Sequence, residues 1–86
     1  MNKEEIYISL LKAKENIVLY NKEKSQNKNW NGFKNGIIEK LDDVTLSFSI
    51  LTEMSYDEIN NCYYEVGASN KDSIYHDRYC ALRMKV

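Results

Sequence analysis

Proline is absent from this chain, and histidine, cysteine and glycine are nearly so, with one, two and three residues. A structural zinc site takes four side-chain ligands, and Cys62, Cys80 and His76 fall short of that set. Two cysteines make no dense disulfide framework, so the thiols are expected to be reduced and the protein cytoplasmic, in a host cytoplasm if it is viral. Gly32, Gly36 and Gly67 do not build a phosphate-cradling loop. A nucleophile elbow and paired inward carboxylates are missing too. No cofactor, no metal and no catalysis are therefore expected. No apolar run approaches the length of a transmembrane helix. The opening "MNKEEIYISLL" puts acids where a basic segment would lead into an apolar run, so neither a signal peptide nor a membrane partner is expected.

An excess of either charge is also missing. Twelve Lys and Arg oppose thirteen Asp and Glu, for a net charge of -1. Residues 1–43 hold eight basic and seven acidic groups, and residues 44–86 hold four and six. Duplex DNA binders usually carry a basic patch, so direct nucleic-acid binding is not expected. The balance is not acidic enough for a DNA mimic either. The lack of proline and the ten asparagines fit an AT-rich coding background as well as any function.

Hydrophobic content of 43% over 86 residues supports one small folded domain, 1–86, with a thin core. Asn2 caps a first helix over about 3–24, with Glu5 three residues on. Ile6, Leu10, Ala13, Ile17 and Tyr20 form its stripe, widened by Tyr7, Leu11 and Val18. Glu4 and Glu5 suit the positive end of its dipole, Lys22 and Lys24 the negative end. "SQNKN", residues 25–29, reads as a polar connector. In "WNGFKNGIIEKL", Gly32 and Gly36 each cost a helix about 1 kcal/mol. The segment therefore reads as a loop carrying Trp30 and Phe33 onto the core, then a short helix over about 35–42.

"VTLSFSIL", Val44 to Leu51, alternates. Val44, Leu46, Phe48 and Ile50 would face the helices, and Thr45, Ser47 and Ser49 would face out. Ser and Thr are poor in a helix interior. Strands are thus expected over about 44–52, 60–68 and 74–86, with turns at "TEMSYDE" and "SNKD". The expected fold is α+β: two N-terminal helices on one face of a three-stranded antiparallel β-meander.

In that meander Cys62 would lie inward opposite Cys80 as a small core residue. His76 and Cys80 would stand about 13 Å apart on a strand, too far for a nucleophile–base pair, although on a helix they would be neighbours. The outward face would show Tyr63, Glu65, Tyr75, Asp77 and Tyr79, with Tyr56, Asp57 and Glu58 on the adjoining turn. Tyrosines among acids form a surface of the kind that interfaces enrich. The partner expected is another protein, such as a nucleic-acid enzyme with a basic surface. The expected function is a non-catalytic, occluding inhibitor of phage or mobile-element type, an anti-CRISPR or other anti-defence protein. Self-association into a homodimer through the edge strand, residues 44–51, or the terminal strand stays open.

Residues 54–86 support a second reading. Tyr56, Asp57, Glu58 and Ile59 start like a helix, Gly67 and Ser69 suit a turn, and Ile74, Tyr75, Ala81 and Leu82 suit a second helix. In this the segment resembles the C-terminal helix-turn-helix of sigma-factor-like phage regulators. The resemblance implies an all-α fold and a DNA-binding regulator, and it requires residues 71–85 to be helical. It departs at Asn60, where a small residue is expected, and at Asp72 and Asp77, which phosphates repel.

Overall fold

The structure, a computed structural model, describes residues 1–20 and 28–84, and of Lys28 the backbone alone. The described residues form α1 (Lys3–Leu19), α2 (Lys28–Leu51), α3 (Tyr56–Ala68) and α4 (His76–Met84). No strand occurs among them, so the meander is overturned and the all-α alternative fits. No helix among the described residues is long and apolar enough to cross a membrane.

Asn2 caps α1 as its sequence suggests, with the Glu5 N–H donating to Oδ1 at 2.8 Å. The helix stops at Leu19, short of residue 24. Lys22, Lys24 and most of the expected connector, 25–27, lie outside the described residues. The inward stripe sits one position on from the expected one. Tyr7 and Leu11 are buried, whereas Ile6, Leu10, Ala13 and Ile17 are half-buried and Tyr20 is exposed.

The expected loop and short helix of residues 30–42 are instead part of one 24-residue helix. Gly32 and Gly36 lie inside α2, and a Cβ at either would meet nothing within 4 Å. "VTLSFSIL" continues that helix, and five of its seven expected sides are reversed, whereas Phe48 packs on the core and Ser47 is exposed as expected. Thr45 and Ser49 are buried, while Val44, Leu46 and Ile50 are exposed. The reason is local bonding. Thr45 Oγ1 donates to the Leu41 carbonyl at 2.5 Å, Ser49 Oγ to Leu46 at 2.7 Å and Thr52 Oγ1 to Phe48 at 2.6 Å. Each hydroxyl is satisfied by a carbonyl of α2, which removes the usual cost of burying it.

α2 ends where the Met54 N–H donates to the Ser49 carbonyl and the Glu53 N–H to that of Ile50. Glu53 takes a φ of 54°, the left-handed cap of a Schellman motif. Ser55 then starts α3 with a reciprocal capping box: the Glu58 N–H donates to Ser55 Oγ at 3.1 Å, and the Ser55 N–H to Glu58 Oε1 at 3.2 Å.

The core joins residues one turn apart: Tyr7 and Leu11 from α1, Cys62 and Val66 from α3, with Tyr75 closing it. Phe48, Met54, Ile59 and Tyr63 pack around it. Full burial of a side chain such as Leu11 or Val66 contributes about 1.5–3 kcal/mol. α1 packs on both α2 and α3, and α4 packs on α3. The α3–α4 contact depends on Gly67. A Cβ there would lie 2.4 Å from the Tyr75 carbonyl oxygen and 2.6 Å from Tyr79 Cβ. Glu15 fixes the entry to α4. Its carboxylate accepts from the Ser73 hydroxyl and, at 2.9 Å, from the Ile74 N–H.

Candidate functional site

With the sheet gone, the expected tyrosine–acid face is dispersed. Tyr75 is only 8% exposed and lies in the core, its hydroxyl donating to the Leu11 carbonyl at 3.2 Å. Tyr63 is half-buried between Tyr7 and Tyr75, with ring centroids 6.1 and 5.4 Å away, and Arg78 stacks on it at 3.7 Å. Tyr79 packs on Tyr64 at 4.8 Å. Burial raises the hydroxyl pKa of Tyr7 and Tyr75, which are internal packing groups. Glu58 pairs with Lys3 at 3.0 Å. Tyr56, Asp57, Glu65 and Asp77 are exposed. On α3, Tyr63 turns to the core while Glu65 turns to solvent, so the eight residues do not form one surface.

The apolar surface lies on α2. Phe33, Val44 and Leu51 are 62%, 51% and 82% exposed. They stand eleven and seven residues apart, close to three and two helical turns, so they share one stripe. A shallow depression of about 360 Å³ opens along it, lined by Asp43, Val44, Ser47, Phe48 and Leu51. Phe48 is the link inward, since it also packs against the core. Lys40 and Asp43 add one charge of each sign on the same flank of the helix. The stripe is longer than the pocket. A helix of 24 residues runs about 36 Å. The signal was in the sequence: Ile37, Leu41, Val44, Phe48 and Leu51 repeat at spacings of 4, 3, 4 and 3.

Two further places hold polar groups together. A groove of about 540 Å³ between α3 and α4 is lined by Asn60, Asn61, Tyr64, Leu82 and Arg83. Arg83 hydrogen-bonds Tyr79 across one turn, which raises its pKa. Beside it, His76 Nε2 lies 3.5 Å from Cys80 Sγ and His76 Nδ1 lies 3.2 Å from the Gly67 carbonyl oxygen. The strand reading kept that pair apart, and the helix brings it together. Cys62 and Cys80 do not face each other as strand neighbours; both are free thiols. Among the described residues, no cluster of three or more His, Cys, Asp or Glu is placed to hold a metal ion. No protein-family model matches this chain, and no curated protein or solved structure shows significant similarity to it.

Proposed function

We propose that this chain works in the cytoplasm by binding another protein, without catalysis of its own, as a small occluding inhibitor of the phage or mobile-element type. Its contact surface is the outer face of α2. The observation that carries the reading is the exposed stripe of Phe33, Val44 and Leu51. Large apolar side chains along one helix face, with an open depression between them, suit helix-to-helix docking. The occupant is an amphipathic helix of the partner, with anchors at matching helical spacing. Lys40 and Asp43 ask for a partner rim of mixed charge instead of a basic groove. Gly32 and Gly36 agree with this. Nothing within the described chain occupies the space beside them, yet each weakens the free helix by about 1 kcal/mol. An approaching partner helix gives that space a use.

The test compares the wild-type chain with Val44→Lys/Leu51→Lys as baits in the native host. The captured protein is then purified and its affinity for each bait measured. A loss of roughly a hundredfold in affinity, with the helical circular dichroism unchanged, is expected. Equal affinity for both baits overturns the reading. So does sedimentation that places the stripe between two copies of this chain.

A second reading is favoured by one observation, the helical state of residues 76–84 packed against α3, although residues 71–75, which it also requires to be helical, form turns. It is the DNA-binding regulator of helix-turn-helix type. Charge weighs against it. Arg78 is held on the Tyr63 ring and Arg83 on Tyr79, while Asp72 is exposed in the turn before α4 and Asp77 in its first turn. Binding to duplex DNA that weakens steeply with added salt would support it. Equal, negligible retention at low and high salt would end it.

A further inference from the structure

The two cysteines differ in surroundings, and the difference assigns a chemistry to one of them. Cys62 is buried in the core and its Sγ faces the Glu4 carbonyl at 3.8 Å. Burial pushes its thiol up to about 11, so it stays protonated and inert. Cys80 is half-buried at the middle of α4, one turn after His76. A carbonyl oxygen can only accept. The contact of His76 Nδ1 with the Gly67 carbonyl therefore places the imidazole proton on Nδ1 in the neutral ring. That leaves the Nε2 lone pair facing the Cys80 thiol at 3.5 Å. A nucleophile, a base within reach and a third group that orients the base make the general arrangement of an activated thiol.

The position of the orienting carbonyl is not incidental. Gly67 lies against Tyr75 and Tyr79 at the start of α4, where only a glycine fits. The same close approach brings its carbonyl within hydrogen-bond reach of His76. Tyr79 packs against the imidazole, with ring centroids 5.6 Å apart.

We propose that Cys80 is a site of reversible modification by small disulfides, with His76 as its base. As Cys80 Sγ attacks one sulfur of the disulfide, its proton passes to His76 Nε2. The sulfur–sulfur bond breaks, and the departing thiolate takes the proton back from the imidazolium. The products are a mixed disulfide on Cys80 and one free small thiol, so Cys80 is oxidised as half of the disulfide is reduced. The reaction modifies this chain once and turns over no substrate.

The experiment uses the full native chain with glutathione disulfide, followed by mass-spectrometric mapping. One adduct is expected, on Cys80, with Cys62 unmodified until denaturant is added. In His76→Gln, folding checked by circular dichroism, the rate at neutral pH is expected to fall roughly tenfold or more. Unchanged reactivity of Cys80 in that variant overturns the proposal, as does equal labelling of both cysteines in the native chain. Nitrogen NMR of the wild-type imidazole gives a test that needs no variant. A proton on Nδ1 is expected, and a proton on Nε2 would overturn the assignment.

Discussion

Glu58 joins the starts of α3 and α1 through one carboxylate. It accepts from the Ser55 N–H at the start of α3, pairs with Lys3 of α1 at 3.0 Å, and contacts Glu4. The Lys3 hydrogen bond, with the Ser55 N–H behind it, lowers its pKa from 4.5 to about 2. Glu4 shifts the other way, raised chiefly by its hydrogen bond to Glu58. A carboxyl whose folded pKa is depressed binds fewer protons in the folded state than in the unfolded one. Its stabilisation is fully present above the unfolded value and is lost as pH falls through the folded one. The interval is therefore pH 4.5 down to about 2. In Glu58→Gln that pH-dependent part should vanish. Chemical denaturation of both proteins across this interval should give a wild-type midpoint that falls more steeply than the variant's. Parallel slopes would show that Glu58 carries no such linkage.

At the scale of elements, α2 shows how far the sequence could be read and why it misled. Alternation in "VTLSFSIL" is real, but it coexists with the helical repeat from Ile37 to Leu51. What decides between them is where three hydroxyls donate, and Thr45, Ser49 and Thr52 all donate to carbonyls of α2. Periodicity cannot see those bonds. The first four residues of the expected turn "TEMSYDE" do turn the chain, while its last three open α3, and the cap at Asn2 was legible. The capping box of Ser55 and Glu58 was equally visible, and reading it would have made residues 56–68 a helix. The paired His76 and Cys80 followed from helix or strand alone, so that site was lost with the fold class. The stop of α2 carries its own prediction. Glu53 holds a left-handed φ of 54° that costs an ordinary side chain about 1–2 kcal/mol and glycine little. Glu53→Gly should stabilise the protein by about 0.5–1 kcal/mol, offset in part by the greater freedom of glycine in the unfolded chain. An unchanged or lower urea midpoint would contradict the strained cap.

For the whole molecule, stability is distributed unevenly, and the proposed contact face begins at its weak end. α1 and α3 supply the four buried helical core residues Tyr7, Leu11, Cys62 and Val66, and α4 is tied to them through Glu15, Gly67 and Tyr75. α2 reaches the core mainly in its second half, through Thr45, Phe48 and Ser49. Its first half carries two glycines with open space beside them and an exposed Phe33. A helix end with few buried groups opens locally, without unfolding the rest. Amides of residues 33–40 should therefore exchange with solvent roughly a hundredfold faster than those of residues 62–66 in native-state hydrogen exchange. A bound partner helix on the Phe33, Val44 and Leu51 stripe should slow the fast group and leave the slow group unchanged. Uniform protection along all of α2 in the free chain would mean that its first half is already held by packing, and the exposed stripe would then lose its claim to be an unfilled docking face.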